Sequence, residues 1–149
     1  MTATTFEHLL RTQLPIAWIA GVRFKSYNGE TFKTCVEHNF LNQNPFGSMF
    51  WAVQGVAAEF AGGCMIVDKI KATGKSISSL VIKSEGSFHK KAVGSIIFTC
   101  SEGKNIAIEI QKAIETGEAR VFELTSVGID ESDHKVSEFV FTWSIKPRN

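Results

Sequence analysis

The sequence predicts an α+β fold, in which an antiparallel sheet of about five to six strands wraps one long central helix. Three observations predict it. Residues 47–67 are apolar almost all round at helical period, with Met49, Val53, Val56, Phe60 and Cys64 at steps of three or four and Phe50, Ala57 and Ala61 widening the stripe. A helix of that character is buried on most sides. The flanking segments alternate at strand period, most clearly as Phe139, Phe141, Trp143 and Ile145. Twelve phenylalanines and three tryptophans in 149 residues supply a large aromatic core.

The elements follow in order. Phe6, Leu9, Leu10 and Leu14 share one face of a short helix that Pro15 stops or bends, so residues 1–20 form an N-terminal helical extension. Strands are expected at 21–27 and 31–38, joined at Asn28-Gly29, a strong hairpin signal. Asn44, Pro45 and Gly47 break the chain before the long helix. Ser48 offers a capping hydroxyl there, and Gly62-Gly63 marks the helix end. Residues 76–87 and 93–100 read as a second strand pair. A small helix at 105–115 puts Ile106, Ile110, Ala113 and Ile114 on one face and stops at Gly117. Residues 120–129 and 135–145 form a final hairpin around 130–133. With no linker, repeat or low-complexity tract, residues 1–149 are expected to be a single domain.

Composition excludes several classes of function. Sixteen basic against fifteen acidic residues give a net charge of +1, so no global field points to nucleic acid or an anionic membrane. The three cysteines, Cys35, Cys64 and Cys100, lack Cys-x-x-Cys spacing and read as reduced residues of a cytoplasmic protein. No secretory leader is recognisable at the start. The four histidines are scattered without ligand spacing, so no metal is expected. There is no Gly-x-Ser-x-Gly elbow, phosphate-binding glycine loop or dinucleotide fingerprint. Cys64, five residues after Glu59, is turned well away from that acid and lacks a base. The central apolar run approaches bilayer-spanning length, but Gln54, Glu59 and three glycines interrupt it, and a membrane span is not expected.

The exception in that run is Glu59. An ionised carboxylate on a buried helix costs several kcal/mol unless it is paired, hydrogen-bonded or protonated. It is either a structural acid with a partner elsewhere or an acid facing a ligand or substrate.

The stretch Asn44-Pro45-Phe46-Gly47-Ser48-Met49-Phe50, followed by an apolar helix bearing Glu59, resembles the central-helix signature of the hotdog-fold acyl-CoA thioesterase superfamily. It is closest to an uncharacterised thioesterase-like branch, a domain of unknown function. Phe88-His89-Lys90-Lys91-Ala92-Val93-Gly94 is similar to the segment of an aromatic, a basic residue and a glycine before the next strand in that superfamily. In phenylacetyl-CoA thioesterase-like relatives, a His-Gly-Gly at the helix start gives a backbone N–H to the thioester carbonyl, and a later acid is base or nucleophile. The resemblance lays the acid on Glu59 and the N–H donor on Trp51, with Phe50-Trp51-Ala52 in place of His-Gly-Gly. A backbone N–H survives that change, while the indole takes up room the acyl group would use.

Trp51 and Glu59 are eight residues apart, about 12 Å along a helix at roughly 1.5 Å per residue, so one carbonyl cannot meet both. Antiparallel packing of two protomers' helices would bring the helix start of one to the acid of the other, and the resemblance likewise implies a site shared in a dimer or a dimer of dimers. His89, Lys90 and Lys91, with Lys83 and Arg120, are candidates for the phosphates of coenzyme A, or are solvated surface. Asn44 either bonds the thioester or caps a turn. Phe50, Gly47 and Gln54 complete the expected substrate site. Three functions are thus expected in order: a thioesterase acting on acyl-CoA as substrate with no cofactor, a non-catalytic acyl or acyl-thioester binder, and an acyl-thioester hydratase or dehydratase. The last requires a histidine ahead of the acid, and none lies between His38 and Glu59.

Overall fold

The computed structural model describes residues 1–148 and contains one six-stranded antiparallel sheet crossed by a long helix. The chain runs α1 (Ala3–Gln13), α2 (Pro15–Ile19), β1 (Arg23–Tyr27), β2 (Phe32–Glu37), α3 (Trp51–Thr73), β3 (Ile77–Phe88), β4 (Ser95–Cys100), α4 (Gly103–Thr116), β5 (Arg120–Ile129) and β6 (Lys135–Pro147). Strand order across the sheet is β1-β2-β4-β5-β6-β3.

The sheet departs from expectation at β3. Residues 76–87 and 93–100 were expected to pair with each other; instead β3 runs antiparallel to β6 at the far edge, and β4 inserts between β2 and β5. Neighbours in sequence pair in most sheets but not all, and residues 89–94 here cross the end of the sheet. His89 N–H donates to the Val136 carbonyl at 2.8 Å, and His38 N–H to the Gly94 carbonyl at 2.9 Å, tying down both ends of that crossing. The hairpins of β1–β2 and β5–β6 form as expected. The first uses a four-residue loop rather than Asn28-Gly29 alone, because the Asn28 carboxamide oxygen accepts from the N–H groups of Glu30 at 3.0 Å and Thr31 at 2.8 Å.

The central helix starts later and ends later than its sequence signals suggest. Ser48 lies outside it, bonded to Asn44 at 3.0 Å, and Phe50 at the N-cap has no side-chain oxygen to offer. Gly62 and Gly63 do not stop it; Gly74 does, with φ +66 in the left-handed region that suits glycine. The internal glycines serve close approach instead. A Cβ at Gly62 would lie 3.0 Å from Leu124 Cδ1, and one at Gly55 would lie 3.3 Å from the Phe139 ring. Together with Ala57, Ala58 and Ala61, all fully buried, they bring the helix backbone down onto β2, β4 and β5.

Two buried hydroxyls fix the helix axially. Thr34 Oγ1 of β2 donates to the Ala57 carbonyl at 2.8 Å, and Ser126 Oγ of β5 donates to the Ala58 carbonyl at 2.7 Å. Each hydroxyl is thereby satisfied, and together they pin the helix at the two residues preceding Glu59. The N-terminal extension is two helices: α1 packs Phe6 among Phe24, Tyr27 and Phe32, with ring centroids 4.9 to 5.6 Å apart. Pro15 then begins α2, where its missing N–H costs nothing. Among the described residues no helix is long and apolar enough to cross a membrane.

Candidate functional site

Glu59 projects from the middle of α3 and is half-buried. Among the described residues nothing pairs with it, and burial alone pushes its carboxyl up to about 7. Gly63, one turn on, is what gives the carboxylate its place: a Cβ there would stand 2.8 Å from Glu59 Oε1 and 3.4 Å from the Trp143 ring. Gly63 thus makes room for the Glu59 carboxylate, and Gly62 for Leu124, where the sequence reads the pair as a helix stop.

Glu59 and Trp51 line one apolar cavity of about 520 Å³. Its walls are α3 on one side, the β3 segment from Ser84 to Phe88 with Phe139 and Phe141 of β6 on another, and Leu14, Ile16 and Ala17 on the third. Phe139 and Phe141 lie nearly parallel at 6.0 Å between centroids, and Phe88 meets Phe139 edge-on at 5.5 Å. At the other end of this wall the helix begins without a cap. The N–H groups of Trp51 and Ala52 have no acceptor among the described residues, while those of Val53 and Gln54 are taken by the Phe50 carbonyl. Free N–H groups at the positive end of a 23-residue helix stabilise a developing negative charge.

A second cavity, about 530 Å³, adjoins the first at Trp51 and Phe88. Asn44, Phe46, Phe50, Gln54, Lys90 and Lys91 line it. Asn44 spends its carboxamide on its own loop, accepting from Phe46 N–H at 2.9 Å and donating to Ser48 Oγ at 3.0 Å. Gly47 turns that loop at φ +74. Gln54 is buried; its Nε2 donates to the Met49 carbonyl at 3.3 Å, and its Oε1 has no partner. It thus faces the second cavity and not Glu59. Phe50 and Trp51 contact edge-on at 5.8 Å, with the indole 59% exposed where the two cavities meet.

The expected basic cluster is only partly assembled. Lys90 pairs with Asp130 at 2.6 Å, a bond that holds the Asp130 carboxyl at about 2, and Lys91 reaches the Phe46 carbonyl at 2.9 Å. His89 is exposed beside them. Lys83 and Arg120 do not join: Lys83 pairs with Glu85 at 2.7 Å, and Arg120 pairs with Glu109 at 2.8 Å. Arg120 begins β5 and Asp130 follows its last residue, about 30 Å away at ~3.3 Å per residue. Cys64 shares a small void of about 100 Å³ with Glu59, closer than its angular offset suggests, and burial followed by the Glu59 charge pushes its thiol far up, away from nucleophilic character. Among the described residues no three His, Cys, Asp or Glu side chains gather to hold a metal.

No protein-family profile and no curated protein matches this sequence. Solved structures do match. A Pseudomonas aeruginosa protein of unknown function, named a probable thioesterase, aligns over 99% of this chain and 97% of its own with 18% identity and a TM-score of 0.85. A protein of unknown function from Chlorobaculum tepidum aligns over 98% and 94% with 16% identity and a TM-score of 0.83. A Haemophilus influenzae thioesterase aligns over 99% and 92% with 11% identity and a TM-score of 0.75. The chain has the hotdog fold of the thioesterases. At these identities the likeness fixes the architecture, with α3 as the central hotdog helix, and leaves the chemistry to be argued from the residues. Of the residues that line the first cavity and the small void beside it, the sequence reading named Glu59 and Trp51 as candidates but not Gly63, Phe139, Phe141, Leu14 or Ile16. The aromatic pair was visible only as strand alternation, and the α2 residues carried no site signal at all.

Proposed function

We propose that the protein hydrolyses an acyl-CoA thioester, with Glu59 as base or nucleophile and the Trp51 N–H as electrophile, at a site shared between two protomers. The observation that carries this reading is the unpaired Glu59 carboxyl, poised near neutrality in an apolar cavity; the uncapped helix start that would face it belongs to the second protomer. An apolar cavity of this size with few polar groups suits a fatty or aromatic acyl group. In the base form, Glu59 takes a proton from water as the water oxygen bonds to the thioester carbon. The Trp51 N–H holds the oxyanion, and collapse breaks the C–S bond while the proton passes from Glu59 to the departing sulfur. In the nucleophile form, Glu59 itself bonds to the carbon and the C–S bond breaks, the thiolate leaving to take a proton from solvent; water then cleaves the anhydride, releasing the free acid and returning the Glu59 carboxylate. No cofactor is required; coenzyme A enters with the substrate, its phosphates toward His89, Lys90 and Lys91 at the second cavity.

Sharing between protomers is supported by the separation of Trp51 from Glu59 along one helix and by β3, a twelve-residue edge strand that leaves Leu80 and Ile82 more than half exposed. A monomer has no reason to keep that edge open. Free Cys35, Cys64 and Cys100 fit a reducing compartment such as the cytoplasm.

The alternative, an acyl binder without turnover, is favoured by one feature: Trp51 lines the junction of the two cavities where the relatives of the resemblance carry glycine. A hydratase is disfavoured because no histidine lines either cavity. The test is hydrolysis of acyl-CoAs of graded length, plus an aromatic one, by wild type and Glu59→Gln, followed by thiol release. Turnover abolished in a folded, oligomeric Glu59→Gln supports the thioesterase; absence of turnover on every substrate moves the reading to the binder.

A further inference from the structure

The 520 Å³ cavity and the 100 Å³ void both touch Glu59 and Phe60, and a third residue lines both: Leu14. Leu14 sits in the break between α1 and α2, with backbone φ −130 and ψ 54, outside the helical region that a following proline disfavours. Its carbonyl accepts from Ala17 N–H at 3.0 Å and Trp18 N–H at 3.3 Å, so the side chain is aimed by a fixed turn. Beyond it the void is narrow and mostly apolar, bounded by Leu9, Gly63, Val67 and Trp143. Leu14 itself is 36% exposed, so it is not a core residue whose role is packing alone.

We propose that Leu14 is the wall that sets acyl chain length, closing the larger cavity against the void behind Glu59. The inference rests on the reading of this cavity as one that receives an acyl chain, and it commits to a straight aliphatic chain as the ligand that would enter the narrow extension. Truncating Leu14 joins the two spaces; enlarging it shortens the larger one.

The experiment measures kcat/KM on straight-chain acyl-CoAs and, in parallel, binding of straight-chain fatty acids by quenching of the cavity tryptophans Trp51 and Trp143. Wild type, Leu14→Ala, Leu14→Phe and the volume-conserving Leu14→Met are compared. Leu14→Ala is expected to move the preferred length up by about three carbons, the number it removes, with roughly fourfold per methylene admitted. Leu14→Phe moves it down, and Leu14→Met leaves it in place. A length profile unchanged in both Leu14→Ala and Leu14→Phe, while turnover persists, overturns the proposal and leaves the thioesterase reading intact. A profile that shifts in binding without turnover of any acyl-CoA does the reverse. Absence of both binding and turnover overturns both.

Discussion

Trp51 occupies the first helical position of α3, the one place in a helix where proline is tolerated because its N–H has no intrahelical acceptor. Phe50 before it already has φ −60 and ψ 132, as a residue preceding proline should. Trp51→Pro is therefore expected to fold and yet lack the proposed electrophile, with kcat down about 10²- to 10³-fold against a Trp51→Ala control that loses only the indole. Steady-state kinetics with circular dichroism on both variants checks this; equal losses would assign the effect to the indole. Glu59 adds a pH signature. With a carboxyl raised from 4.5 to about 7 by burial, the folded state holds its proton more tightly than the unfolded chain. Stability contributed by the neutral acid is thus lost as pH rises from about 4.5 through about 7, while the ionised form, the proposed base, accumulates. Activity should rise through about pH 7, and Glu59→Gln should be more stable than wild type at pH 8, by about 1–3 kcal/mol, with the difference gone at pH 4. Urea unfolding at the two pH values measures it, and a Glu59→Gln destabilised at pH 8 would mark the acid as structural.

At the scale of elements, α3 combines strong burial with weak intrinsic helicity, and Gly63 shows why. Replacing Gly63 with alanine raises helix propensity by about 1 kcal/mol, but the new Cβ displaces the Glu59 carboxylate, which lies 2.8 Å from its position. Gly63→Ala should therefore hold or gain thermal stability while turnover falls, a divergence that melting and kinetics on one preparation reveal. The same glycine explains the limits of the sequence. Periodicity located the helix and alternation located β5 and β6, because burial on one face leaves that imprint, while the Asn28-Gly29 turn marked β1 and β2. Gly62-Gly63 misled because close approach and termination use the same residue. The placement of β3 was illegible because its residues are exposed on both faces over most of its length, so its pattern names no neighbour. Arg120 and Lys83 were grouped with Lys90 and Lys91 by charge alone, and only strand register separates them.

For the whole molecule, the proposed sharing of the site makes an arithmetic prediction. A Trp51→Pro protomer keeps Glu59, and a Glu59→Gln protomer keeps the Trp51 N–H. Mixed dimers of two inactive chains then contain one intact site, restoring about half the wild-type rate per mixed pair, whereas sites confined to single protomers restore none. Refolding the two variants together and assaying the isolated mixed dimer decides it.

The glycines and alanines that let α3 settle onto the sheet also set when it can settle. With Gly55, Gly62 and Gly63 in its length and no side-chain cap at its start, the helix has little stability of its own and depends on the surface beneath it. That surface is stitched from distant pieces: Phe32 lies opposite Cys100, and Ile77 opposite Pro147. On a ribosome the helix emerges before β4, β5 and β6, the strands that complete the surface beneath it. Glu59 is thus translated before the strands that position it, and the chain must keep a long apolar segment out of trouble until they emerge.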